Sequence, residues 1–302
     1  MPTVVPEGQL VYGMQLPIQA QSTMFVEPWE ATAGPSELGE LARVADRCGF
    51  FYVAVCDHIA VPRQAAVAMS TMWYDTIATL GWIAAQTTNV RLLSSVYNLT
   101  YRHPLIAAKQ FATLDRLSGG RVIAGLGAGH LQGEFDALGV PFEGRGKHLD
   151  AAIDLFDEAL RNEYVNDCGA QPRPVQQPRP PIWLGGGAAV AVRRAATRGD
   201  GWIPQGTPLA EMAPLVDLFL SSRDGRPGDI GCITEWIHVG PPSWDLDRPH
   251  ISGTPEQIAD KMREWGKVGV NHLQVRFPSR SVAELAEQME AFGSLVGPLL
   301  HD

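Results

Sequence analysis

Hydrophobic and polar positions alternate along this chain in two textures. Short apolar runs rich in β-branched residues fall at 10–16, 50–55, 90–96, 121–126, 182–184, 201–204, 230–239 and 271–277 and predict eight strands. Between them apolar residues recur at helical spacing. Leu38, Leu41, Ala42 and Ala45 mark one face, Ala107, Phe111 and Leu114 a second, and Ile258, Met262 and Trp265 a third. The punctuation agrees: Thr254-Pro255-Glu256-Gln257 reads as a capping box, Pro104 opens a helix, and Gly49 and Gly266 stand where helices should stop. Strict β/α alternation implies parallel strands with right-handed crossovers. Eight such units in about 300 residues fit a closed (β/α)8 TIM barrel of the α/β class better than an open doubly wound sheet. The rhythm breaks at 162–181, NEYVNDCGAQPRPVQQPRPP, a polar, proline-rich stretch predicted as an insertion before the fifth strand. Residues 1–302 are thus expected to form a single barrel domain.

Composition narrows the picture. With 302 residues, 45% of them hydrophobic and 19% charged, the chain can bury a large core. A net charge of -9, with no basic cluster longer than Arg193-Arg194, argues against nucleic acid or an anionic membrane surface as partner. Cys48, Cys56, Cys168 and Cys232 form no CxxC pair and read as reduced, mostly packed thiols. No 18-residue apolar run is present and MPTVVPEGQL is not built like a signal peptide, so a cytoplasmic protein is expected.

In a barrel, chemistry gathers where strands end on the C-terminal face. CDHIAVP (56–62) places Asp57 and His58 directly after the second strand. Alone, the pair is more simply read as a turn cap beside a histidine bonded to a backbone carbonyl. RVIAGLGAGHLQGEF (121–135) runs a buried strand into Gly125, Gly127 and Gly129, followed by His130 and Glu134. These glycines either admit a ring or an anion close to the backbone or merely shape a turn; the spacing is not G-x-G-x-x-G. PPIWLGGGAAVAVRRAA (180–196) carries an apolar strand into Gly185, Gly186 and Gly187 and then a helix, the layout of a phosphate site at a helix N-terminus. Three such strand ends suggest a large, phosphate-bearing cofactor. No H-x-H pair points to a metal, and no G-x-S-x-G to a serine nucleophile.

The segment 103–155, HPLIAAKQFATLDRLSGGRVIAGLGAGHLQGEFDALGVPFEGRGKHLDAAIDL, resembles the signature region of the bacterial luciferase-like superfamily, which contains FMN-dependent monooxygenases and deazaflavin (coenzyme F420)-dependent oxidoreductases. CDHIAVP, PPIWLGGG, RGDGWIP (198–204) and SGTPEQIADKMREWGKVGVNHLQVRF (252–277) extend the likeness over most of the chain. The resemblance implies a barrel holding a flavin or deazaflavin ring in its mouth. Carried over position by position, Asp57 contacts the ring system and His58 serves as acid or base on substrate. Ser95 and Val96 fall where many relatives have a non-proline cis peptide behind the ring. Gly127, Ala128 and Gly129 match the cofactor-lining loop, and Gly185, Gly186 and Gly187 the phosphate loop. His130 stands where some relatives have a catalytic glutamate and many a tryptophan; it either donates a proton or packs beside the ring. Glu134 is expected to be structural, pairing with a nearby amide or with Arg145.

The Asp-His pair leans towards the deazaflavin branch. The expected activity is hydride transfer between C5 of coenzyme F420 and a small organic substrate, with His58 moving the proton. An FMN-dependent monooxygenase using reduced flavin and O2, and a flavin-binding barrel without catalysis, are the alternatives. Trp29, Met69, Met72, Trp73, Tyr74, Tyr97 and Tyr101 are candidate substrate walls, at least half of them expected to be packing residues instead. Arg63, Arg102 and Lys109 read as ordinary surface positions. A homodimer is expected by resemblance, with the apolar segment 73–85 a candidate interface helix.

Overall fold

A computed structural model describes residues 3–300. The eight anticipated strands form one parallel barrel: Val11–Gln15, Tyr52–Val55, Arg91–Ser94, Val122–Gly127, Ile182–Gly185, Gly201–Ile203, Asp229–Val239 and His272–Arg276. Each pairs with the next in sequence, and the eighth returns to the first, so the barrel closes without an edge.

Side-chain alternation sorts the strand residues. Tyr52, Ala54, Leu93, Ile123, Trp183 and Ile203 point inward and fill the barrel. Their neighbours Val53, Val55, Leu92, Ala124, Leu184, Leu273 and Val275 point outward and join the larger core under the helices. The predicted helix faces supply the other half of that core: Leu38, Leu41, Ala42, Ala45, Ala107, Phe111, Leu114, Ile258, Met262 and Trp265 are all buried. At the floor, His272 stacks on Trp183 with ring centroids 4.1 Å apart, and burial drives its imidazole pKa down to about 3, so it is neutral filling. Asp229, at the start of the seventh strand, accepts the amides of Val4 and Val5 and the indole N–H of Trp183. The N-terminal segment thereby lies across the closed end, and the open end is the one where the strands terminate.

Four departures from the expected elements have local causes. The third strand stops at Ser94, the Ser95–Val96 peptide is cis, and the chain resumes at Tyr97–Asn98 against the fourth strand, so 90–96 is a strand plus a bulge. Gly125 is what lets these strands meet so closely, since a Cβ there would lie 1.9 Å from the Ser94 carbonyl oxygen. The seventh strand shifts register between Ile233 and Trp236 and gains a parallel neighbour, His250–Gly253. Helix Pro255–Lys267 runs through Gly266, and the left-handed turn falls on Gly269 (φ 94°). The 162–181 stretch forms a two-rung hairpin, Tyr164–Val165 with Cys168–Gly169, and then lies against helix Pro104–Leu117, where Asp115 accepts the amides of Val175 and Gln176.

Candidate active site

Strand alternation carries the second strand upward through inward-facing Tyr52, Ala54 and Cys56 to His58 at the barrel mouth. Asp57, between them, turns the other way. Its carboxylate is buried and accepts from both terminal nitrogens of Arg102 (2.7 Å each), from the Asn98 amide (2.7 Å) and from the Thr76 hydroxyl (3.0 Å), while the Asn98 side-chain amide donates to its carbonyl oxygen. Asp57 therefore bolts the end of the second strand to the bulge after the third. Arg102 is correspondingly no surface residue: its side chain is 14% exposed and stacks on Tyr97, 4.1 Å from the ring centroid.

His58 is held just as firmly. Its Nδ1 meets Glu134 Oε2 at 2.9 Å, and the ring packs edge-on to Trp73. Glu134 is fully buried. It also accepts the amides of Ile59 (2.5 Å) and Ala60 (3.0 Å) and the Tyr101 hydroxyl (2.9 Å). Burial alone would raise the Glu134 carboxyl, but the His58 hydrogen bond and the two amides outweigh it and hold the pKa at about 2. An ionised Glu134 accepts a proton-bearing Nδ1, which leaves Nε2 as the acceptor in neutral His58. Among the described residues nothing bonds Nε2. The expected amide contact of Glu134 is present; the alternative partner Arg145 instead stacks on Phe142.

A cavity of about 390 Å³ opens at the mouth, within the size range of small-molecule sites. Asp57, His58, Ser95, Val96 and His130 line it, brought together from the ends of strands two, three and four. His130 lies 5.5 Å from His58, ring to ring, and is the more open of the two. The protein around its ring, with repulsion from His58 and Arg145, lowers its pKa below the usual imidazole value. Cys56 also lines the wall, but burial pushes its thiol up to about 12.

Gly127, Ala128, Gly129, Gly185, Gly186 and Gly187 stand behind this wall. A Cβ on Gly127 would come within 2.5 Å of a Val96 methyl, one on Gly185 within 3.1 Å, and one on Gly129 within 2.7 Å of the Tyr101 hydroxyl. These three glycines thus make room for the side chains that shape the cavity. After Gly187, helix Ala189–Arg198 starts with no side-chain cap, so its leading amides are open to an anion. The sixth-strand loop ties this corner to the cavity, because Trp202 Nε1 donates to the Gly186 carbonyl and Gln205 lines the wall.

Of the seven aromatic and methionine candidates, Met69 and Trp73 face the cavity. Tyr97 packs under Arg102, Tyr101 bonds Glu134, Trp29 donates to Ser279, and Met72 is exposed. Sequence reasoning missed several wall residues. Glu30, after the first strand, is buried and pushed up to about 7 by burial, against the amides of Glu27 and Ile18 that it accepts. Ile18 sits at φ 72°, a strained position for a β-branched residue, and the Glu30 bond to its amide helps to hold it there. Gln15, Gln274 and Arg276 complete the wall from strands one and eight. Period-two alternation could have flagged the last pair, since both share a face with His272.

A family model described as luciferase-like monooxygenase matches residues 14–235. An uncharacterised protein of Mycobacterium tuberculosis is 31% identical over 278 residues, covering 82% of this chain and 90% of the relative. An F420-dependent glucose-6-phosphate dehydrogenase of Segniliparus rotundus is 26% identical over 334 residues, covering 92% and 97%. Among solved structures, the coenzyme F420-dependent tetrahydromethanopterin reductase of Methanopyrus kandleri superposes with a TM-score of 0.74 at 20% identity, covering 96% of this chain and 99% of that one. The oxygenating constituent of 3,6-diketocamphane monooxygenase from Pseudomonas putida, solved with FMN, reaches 0.75 at 13% identity, covering 96% and 98%. The last two likenesses establish the fold, a (β/α)8 TIM barrel.

Proposed function

Because the chain belongs to the luciferase-like monooxygenase family and is an oxidoreductase of that family, we propose that it is a coenzyme F420-dependent oxidoreductase acting on a small organic substrate. The carrying observation is the Glu134–His58 pair, which leaves one imidazole nitrogen free on a ring that lines the cavity. When bound, the deazaflavin would exchange a hydride at C5 as a two-electron carrier, the oxidised form accepting it from an alcohol and the reduced form giving it to an enone. The residues present fit such a group. The cavity wall is mostly apolar, with the neutral amides of Gln15, Asn98, Gln205 and Gln274 for a ring edge, and the uncapped helix at Ala189 suits a phosphate. Val96 backs the cavity, and Asp57, locked to Arg102, positions the bulge that presents it.

His58 Nε2 takes a proton from, or returns one to, the substrate heteroatom as the hydride moves, and Glu134 keeps the ring in the tautomer that can do so. Titration by cofactor fluorescence should give tight binding of coenzyme F420 and weak binding of FMN. His58→Ala should lower turnover on a panel of small alcohols and enones by about two to four orders of magnitude with F420 affinity retained. Unchanged turnover refutes the role of His58. Preference for FMN would instead assign the flavin monooxygenase reading, which the FMN-containing neighbour of the same fold supports.

A further inference from the structure

Around the cavity wall the charged side chains are nearly all answered. Asp57 is paired with Arg102, and Glu134 accepts hydrogen bonds from His58, Tyr101 and the amides of Ile59 and Ala60. Glu27 binds Arg248 through both oxygens (2.7 and 3.2 Å), and Glu30 accepts two amides. Arg276, the last residue of the eighth strand, is the exception. Its Nε donates to the Thr234 carbonyl at 3.0 Å, and among the described residues its two terminal nitrogens have no hydrogen-bond partner or carboxylate within salt-bridge range.

Strand alternation aims the arginine. On the eighth strand Leu273 and Val275 face the helices, whereas His272 lies in the barrel core and Gln274 lines the cavity. Arg276 continues that inward row one rung higher and lines the same cavity. It is also held rigid. Its guanidinium carbon sits 4.9 Å from the Trp236 ring centroid, and Arg248 stacks on the same indole at 4.5 Å. Glu27 neutralises Arg248, and the exposed Glu235 attracts Arg276 only from beyond salt-bridge distance, so a half-buried guanidinium fork whose geometry matches an oxyanion is left facing the cavity. Trp236 beneath it is apolar, and elsewhere on the cavity wall Met14, Phe25, Ile233 and Phe277 alternate with the polar Gln15, Gln274 and Ser279.

We propose that Arg276 is an anion subsite of the substrate pocket, so that the substrate is an apolar body carrying a carboxylate or phosphate, gripped by Arg276 while its reacting carbon lies near His58. This rests on the substrate site proposed above. Neighbouring strands lie about 4.8 Å apart, and two such steps separate the eighth strand from the second, so anion and reacting carbon sit about 10 Å apart at strand level.

The test titrates the F420-loaded protein with benzoate, phenyl phosphate and neutral benzamide, following cofactor fluorescence, with thermal shifts of the cofactor-free protein in parallel. Both anions should bind saturably and benzamide at least about tenfold more weakly. Arg276→Ala should weaken the anions about 10- to 100-fold, the loss of a charge-assisted hydrogen-bonded pair. F420 affinity and benzamide binding should stay within about twofold, and Arg276→Lys should retain part of the anion affinity, which separates lost charge from a damaged fold. Anion binding that survives Arg276→Ala, or benzamide binding equal to benzoate, overturns the subsite. Loss of F420 affinity alone overturns it as well, by giving the arginine to the cofactor's own phosphate. If F420 fails to bind the wild type, the proposed function falls, while the thermal-shift comparison of wild type and Arg276→Ala still decides the subsite.

Discussion

Replacing Glu134 by Gln removes one charge from the buried node that His58, Ile59, Ala60 and Tyr101 share. The amide oxygen can keep the two backbone donors, but its NH2 group then faces His58 Nδ1 and cannot accept from it. The imidazole must present Nδ1 as acceptor and Nε2 as donor, the reverse of what neutral His58 needs to act as a base. Turnover should fall by about two to four orders of magnitude with F420 affinity unchanged, the scale on which a histidine locked in the wrong tautomer loses function. Stability offers a second readout. The Glu134 carboxyl is held at about 2 against an ordinary 4.5. A depressed carboxyl contributes stability that is complete above its unfolded pKa and is lost as pH falls through its folded one. The full contribution is about 3 kcal/mol, of which about 2 kcal/mol should be gone by pH 3. For a chain of this length that loss corresponds to about 3 °C in Tm. Other carboxylates titrate in the same window, so the measured quantity is the Tm gap between wild type and Glu134→Gln, followed by circular dichroism from pH 7 to pH 3. Glutamine does not titrate. The gap should be largest at pH 7 and narrow steadily below pH 4.5. A gap that stays constant to pH 3, or a variant that turns over at the wild-type rate, would refute the account of the node.

Two further outcomes follow from the same geometry. Arg102→Met strands the buried Asp57 carboxylate with only the Asn98 amide and the Thr76 hydroxyl, and should cost about 3–5 kcal/mol in urea denaturation. Adding Asp57→Asn should recover part of that loss, and a cost below about 1 kcal/mol would show that the pair is not a brace. Gly127→Ala pushes a methyl to within 2.5 Å of Val96, which lines the cavity. It should cost about 1–3 kcal/mol of stability and weaken F420 binding, the latter read by fluorescence titration, with unaltered affinity counting against Val96 as a cavity wall.

Much of the architecture was legible because its signals are local. Eight apolar runs, the helix faces and the Thr254–Gln257 capping box depend on residues a few positions apart, and the structure places all of them. The positions of Asp57 and His58 at a strand end were equally legible, since strand direction and barrel closure follow from the alternation. Their partners were not. Arg102 stands 45 positions from Asp57, and Glu134 stands 76 from His58. No periodicity connects such residues, and an arginine in a polar loop reads as solvated until the bulge after the third strand folds it inward.

The glycines mark the boundary most clearly. Their clustering at strand ends announced a special backbone, but whether the missing Cβ leaves room for a ligand or for a neighbour depends on what packs opposite. In the barrel it is Val96 and Tyr101 that occupy the space at Gly127, Gly185 and Gly129. By itself, then, the sequence determined the barrel, its direction and the strand ends that carry titratable groups, because short-range patterns set those. Only the tertiary structure decided which polar groups are answered and which are not: Asp57, Glu134 and Glu27 find donors from distant loops, while among the described residues the two terminal nitrogens of Arg276 face the cavity without an acceptor. Charge compensation is a sum over contacts made in space, and chain order does not contain it.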